Sequence, residues 1–168
     1  ILGLYSGHSA IGGGTGNTVT NPATFTSEGA GTIGGGYYNY NAGWAATIAG
    51  GWGNIVTGTS DFIGGGTGNV ASNDYVSVVG GTGNSASSYG TAIGGGIGNS
   101  ISGGSAYSTI GGGYANAIEY DVFSSTIAGG YQNAIQADSF NSIIGGGYTN
   151  VVATNSPALK DAIVNILC

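Results

Sequence analysis

Charge is what this sequence has least of. Arginine is absent, Lys160 is the single basic residue, and only 5% of the 168 residues are charged. An ordinary globular domain carries about a quarter. With a formal net charge of −6, no basic patch exists to neutralise phosphates, which excludes nucleic acid as a partner. A basic membrane-surface patch is missing for the same reason, and no apolar run approaches the roughly 20 residues that span a bilayer, so direct membrane insertion is not expected. Cysteine occurs once, at Cys168, which leaves no intrachain disulfide. Methionine does not occur, as expected if a signal peptide was removed or the chain was excised from a longer one. His8 is the only histidine. A Ser-His-Asp triad would have to use it, and zinc sites need several His or Cys ligands. No catalytic residue, cofactor or zinc site is therefore assigned, and the chain reads as a protein that is not an enzyme.

Glycine is what is abundant, at 38 residues, beside a hydrophobic fraction of 40%. That apolar content argues against simple disorder. The absence of a strict every-third-residue glycine excludes collagen.

The glycines belong to a repeat. Its unit runs small, small, Ile, Gly/Ala, Gly, Gly, any, any, Asn, any, Ile/Val. The leading apolar residues are Ile11, Ile33, Ile48, Ile63, Val78, Ile93, Ile110, Ile127 and Ile144. Six positions after each comes an asparagine: Asn17, Asn39, Asn54, Asn69, Asn84, Asn99, Asn116, Asn133 and Asn150. An apolar residue then usually returns, as at Val19, Val56, Ile101, Ile118, Ile135 and Val152. Spacings of 22, 15, 15, 15, 15, 17, 17 and 17 suit one coil of a flattened solenoid built from two short strands and two turns. Alternation puts Ile on an inner face. Helix is excluded by the glycine load, at about 1 kcal/mol per interior Gly. The expected fold is all-β: a parallel β-solenoid (β-roll) of about nine 15–17-residue coils over residues 1–154, followed by a tail over 155–168.

Coils stacked about 4.8 Å apart place like side chains in ladders. The asparagine then has a structural role: it tolerates a turn and its amide bonds to the asparagines above and below. Runs of three glycines permit close backbone approach. Several solenoids packed about a common axis would require such approach, and this points to an oligomer, with a trimer as the expectation.

Aromatic residues share the period. One column lies four residues after the key Ile, at Tyr37, Trp52, Tyr114, Tyr131 and Tyr148, completed by Thr15, Thr67, Thr82 and Ile97. A second precedes it, at Trp44, Tyr75, Tyr89, Tyr107, Phe123 and Phe140. The plain reading is that these rings stack and cover the coil edges. The sharper one is that an exposed ladder, Tyr114, Tyr131 and Tyr148, binds sugar rings or another surface. The stretch from Thr18 to Thr32 is longer than the other connections and is expected to bulge out as a loop, which in repeat proteins is often a binding face.

One acidic feature bears on metals. Asp121 and Asp138 fall at the same place on adjacent coils, with Glu119 close by. Like charges so stacked repel unless solvated or bridged, and calcium would be the natural bridge. A solvated acidic edge is the plainer alternative. Gly29-Ala30-Gly31-Thr32-Ile33-Gly34 fits a dinucleotide-binding pattern by spacing alone but opens no helix. Gly65-Gly66-Thr67-Gly68-Asn69 starts like a calcium-binding nonapeptide but continues with Val70 where Asp is needed.

The two ends differ from the repeats. Ser156-Pro157 reads as a helix start, and Leu159, Ala162, Ile163, Ile166 and Leu167 follow helical spacing. Three turns are marginal alone, so a short C-terminal helix would pack on the solenoid end or on copies of itself. At the front, Leu2 stands nine residues before Ile11, as if the chain opened mid-coil.

Ser-Thr-Ile-Gly-Gly-Gly-Tyr-Ala-Asn-Ala-Ile at 108–118 and Ser-Thr-Ile-Ala-Gly-Gly-Tyr-Gln-Asn-Ala-Ile at 125–135 resemble the head repeats of trimeric autotransporter adhesins and related phage tail-fibre β-roll segments. The similarity covers about nine tenths of the chain, through low-complexity repeats. That family often has shorter units, with Ala where this chain has Gly. The resemblance implies a homotrimeric left-handed parallel β-roll, displayed outside the cell on its surface or on a virion, with a cell-surface glycan or receptor as its partner. Three functions follow as expectations. The first is an extracellular structural or adhesive fibre module without catalysis. The second is a filament subunit that stacks end to end. The third is an ice-binding solenoid, which wants a regular Thr array. Thr32, Thr47, Thr109 and Thr126 share one position, but Phe62, Ala92 and Ile143 interrupt it.

Overall fold

A computed structural model describes residues 1, 7–20 and 29–154, together with the backbone of Ile163–Val164. Over these residues the chain is a parallel β-solenoid. Two sheets run its length, one of ten and one of nine strands, and every strand is two residues long. Each sheet takes every second strand of the sequence, so each coil contributes one strand to either side.

The coil that starts at Ser108 shows why. Thr109–Ile110 pairs in register with Thr126–Ile127, and Ala117–Ile118 pairs with Ala134–Ile135. In both strands the β-branched Ile is fully buried while its neighbour is only partly so. Branched side chains are stiff at χ1 and pack well on a pleated surface. Inward residues from the two sides meet in a single narrow core of Ile33, Ile48, Ile63, Val78, Ile93, Ile110, Ile127 and Ile144 against Val19, Val56, Ala71, Ala86, Ile101, Ile118, Ile135 and Val152. Burying each such Ile is worth about 1.5–3 kcal/mol. Asn41 takes one inward place, and its Nδ2 donates to the carbonyls of Ala46 at 2.9 Å and Thr32 at 3.2 Å.

Eight full turns separate Ile11 from Ile144, and the leading residues pair in one unbroken series from Ile11–Ile33 to Ile127–Ile144. Between the two strands of each coil a third column forms, which the two-strand reading placed in a turn. Thr15, Tyr37, Trp52, Thr67, Thr82, Ile97, Tyr114, Tyr131 and Tyr148 make parallel bridges one residue wide. The N–H of Tyr114 donates to Gly130 O at 2.9 Å, and the N–H of Gln132 returns to Tyr114 O at 2.8 Å. The coil section therefore has three hydrogen-bonded sides.

The glycine run has a cause inside the chain. A Cβ on Gly111 would lie 2.3 Å from Ala128 O of the next coil, and one on Gly113 would lie 2.2 Å from Gly130 O, with Gly113 itself at φ +94°. The third glycine, which is Gly in all nine coils, is thus required by stacking of successive coils, whereas the first position also takes Ala49, Ala128 and Val79. Coil stacking does not account for the middle glycine, which is Gly in all nine coils although a Cβ there would meet nothing closer than 3.8 Å.

The helix expected over 155–168 lies outside the described residues except at Ile163–Val164. That pair is extended, and it bridges Ile143–Ile144 as the last strand of the ten-stranded sheet. Two β-branched residues in register with the edge of an existing sheet gain backbone partners there. A lone three-turn helix gains none. Leu2 and residues 21–28, at the centre of the long connection, also lie outside the described residues.

Candidate functional site

The nine asparagines form one buried ladder. Asn39, Asn54, Asn69, Asn84, Asn99, Asn116 and Asn133 are completely buried, with Asn17 and Asn150 closing the ends. At each step both the backbone N–H and the side-chain amide of one asparagine donate to Oδ1 of the asparagine in the preceding coil. For Asn116 these distances to Asn99 are 3.0 and 3.1 Å. Its Nδ2 also reaches Gly112 O at 2.9 Å and Gly130 O at 3.0 Å, so its two hydrogens are shared among three acceptors on three coils. An asparagine here supplies an acceptor to the next coil and donors to both neighbours, which no other small side chain does. The ladder spans the whole rod, and its role is structural.

Asp61 is a buried carboxylate that sequence reasoning passed over. It stands two residues before Ile63, in an inward column otherwise filled by Ser9, Gly31, Ala46, Val76, Thr91, Ser108, Ser125 and Ser142. Only 2% of Asp61 is exposed. Its Oδ1 accepts from Val76 N at 2.8 Å and its Oδ2 from Gly58 N at 3.1 Å. Burial raises its pKa from 3.8 to about 6; the two backbone donors oppose that shift, and the Asp74 carboxylate adds to it. The signal was available in the alternation, since the position two before each key Ile faces inward. Where serine occupies the column, Ser108 Oγ donates to Val122 O at 2.8 Å and accepts from Ser125 N at 3.1 Å. Asp61 thus accepts the N–H from the next coil that serine accepts elsewhere, but its carboxylate takes a second N–H where serine donates to a carbonyl.

The aromatic columns lie on the two edges. Tyr114, Tyr131 and Tyr148 stack face to face, with centroids 4.9 Å apart at each step and ring planes within 8°. The facing sides of these rings cover one another, so between Tyr114 and Tyr148 the ladder presents edges and phenolic oxygens rather than open platforms. Stacking of a sugar on the internal faces is thereby blocked. On the opposite edge Tyr75, Tyr89 and Tyr107 meet edge to face at 5.4 and 5.7 Å, and Phe123 stacks with Phe140 at 5.8 Å. Farther along the first edge, Tyr37, Tyr38 and Trp52 surround an open apolar cleft of about 300 Å³. Tyr38, at φ 53°, was not singled out by the periodicity because glycine holds the equivalent turn position in most coils.

Asp121 and Asp138 occupy matching left-handed turn positions at φ 59° and 61°. Glu119 Oε2 accepts from Ala137 N at 3.4 Å. Among the described residues no three His, Cys, Asp or Glu side chains converge to hold a metal ion. No helix among them is long and apolar enough to cross a membrane.

No protein-family model matches the chain, and no curated protein matches it.

Proposed function

We propose that the chain is a structural and adhesive module of an extracellular fibre, on a cell surface or a virion, working as a homo-oligomer and not as an enzyme. The observation that carries this reading is the uninterrupted register of the rod. One buried asparagine ladder and three columns of parallel hydrogen bonds continue from Ile11 to Ile144 without a break. Such a body transmits force along its axis and presents side chains at fixed intervals, which is what a spacer or display element must do. The adhesive part rests on the edges, where Tyr37, Trp52, Tyr75, Tyr107, Tyr120 and Tyr148 are each more than half exposed. Large exposed aromatics are enriched where proteins meet partners. A trimer agrees with the family resemblance of the repeats, and a glycan or protein receptor is the partner class that aromatic edges suit.

The end-to-end filament is the second reading, favoured by one observation. The nine-stranded sheet stops at Val151–Val152, which has no strand on its far side among the described residues, and an open strand edge is a template for pairing. Ice binding is disfavoured, because Phe62 and Ile143 project, each about 40% exposed, from the face that Thr47 and Thr126 occupy.

Light scattering combined with negative-stain electron microscopy tests the proposal. A fibre module gives discrete short particles at three times the 16.2 kDa chain mass. Filaments of indefinite length would establish the second reading, and a monomer without affinity for cell surfaces would overturn both.

A further inference from the structure

We propose that the cleft between Tyr37, Tyr38 and Trp52 is a binding site for a quaternary ammonium group. The cleft exists because the repeat changes on both sides of it. In the bridge column Tyr37 and Trp52 are flanked by Thr15 before and Thr67 after, so no neighbouring ring covers them. Both are about 60% exposed, unlike Tyr131, which is sandwiched between Tyr114 and Tyr148. Tyr38 closes the third side. Its ring lies over Gly16 of the preceding coil, where an added Cβ would be 2.4 Å from Cδ1. At the same turn of the next coil stands Gly53, with nothing within 4 Å of the Cβ it lacks. The glycine leaves the cleft open beside Tyr38.

The chemistry of the lining selects the ligand. Three aromatic side chains form the walls, and no polar atom is presented to the cleft. A sugar would bring hydroxyls that need hydrogen-bond partners. A trimethylammonium group brings none: it has no N–H, is weakly hydrated, and is drawn to the negative faces of Trp and Tyr rings. The chain adds a favourable field, with a net charge of −6 and one basic residue, which attracts cations. This inference does not depend on the fibre reading. A monomeric chain would carry the same cleft.

Choline titrated into the full chain at constant ionic strength is the test, with Trp44→Phe as the background so that emission reports Trp52 alone. A saturable change with half-saturation around 1–10 mM is expected. The neutral isostere 3,3-dimethylbutan-1-ol should bind at least about fivefold more weakly. In Trp52→Thr, which installs the residue that follows in the column, saturation transfer to the choline methyl protons should disappear. Should that variant misfold, Tyr38→Gly serves instead, since glycine holds the equivalent turn in the next coil; it should lose binding while keeping or raising stability. Equal affinity for the neutral isostere would reduce the site to a hydrophobic cleft and overturn the proposal. So would the absence of saturation, retained binding in the variants, or tighter binding of methyl glucoside than of choline.

Discussion

Asn116 joins three coils through one amide. Replacing it with alanine removes the acceptor for two N–H groups of Asn133 and the donor for the carbonyls of Gly112 and Gly130. An unsatisfied buried polar group costs about 1–3 kcal/mol. Asn116→Ala is therefore expected to lower unfolding free energy by about 3 kcal/mol in denaturant melts, and a loss below about 1 kcal/mol would show the ladder to be dispensable. Asp61 contributes in the opposite sense. Its folded pKa, about 6, lies above its unfolded value of 3.8, so the folded state holds the proton more tightly. Stability is then greatest below about pH 4 and falls as pH rises through the interval between the two values. Relative to Asp61→Ser, the native chain should lose on the order of 2 kcal/mol between pH 4 and pH 7. Thermal melts of the pair across that range would disprove this if they ran parallel.

Turns and strands obey different rules within each coil, and substitutions at their glycines separate them. Gly113 needs both its positive φ and its missing Cβ, so Gly113→Ala should destabilise by about 3 kcal/mol or more through contact with Gly130 O. At the turn before the ladder asparagine the logic reverses. Ala115, Gln132 and Thr149 adopt φ of 51–54° where Gly53, Gly68, Gly83 and Gly98 adopt 63–65°. Left-handed backbone costs a non-glycine residue about 1–2 kcal/mol, partly offset by the extra chain entropy of glycine, so Gln132→Gly should stabilise by roughly 0.5 kcal/mol. Calorimetric Tm values check both signs. These elements also show what the sequence makes legible. The Ile-to-Asn interval, repeated nine times, gives the coil, the parallel register and the inward side chains, because each depends only on alternation and period. The bridge column at Tyr114 is hidden because a single paired residue leaves no alternation to detect. The tail reads as helix because Ile163 and Ile166 fit that spacing, yet Ile163–Val164 finds its pairing partner at Ile143–Ile144, about twenty residues away. Local pattern carries no trace of such an edge. Asp61 and the cleft at Trp52 are departures from the repeat, and a period emphasises what recurs over what interrupts it.

At the scale of the whole rod, each coil touches only its neighbours, so stability is a sum of coil and interface contributions and the ends open before the middle. Eight steps of about 4.8 Å give a body about 40 Å long. Its interior is continuous: apolar side chains on two sides, with the asparagine amides along a third. Exchange of the asparagine side-chain amide protons, followed by NMR, tests that continuity most directly. The amides of Asn54, Asn69, Asn84, Asn99 and Asn116 should be protected as strongly as the backbone amides of the neighbouring core strands. The exposed Asn73 and Asn141 should exchange at once. Fast exchange across all of these asparagines would contradict a buried ladder, and with it an in-register solenoid.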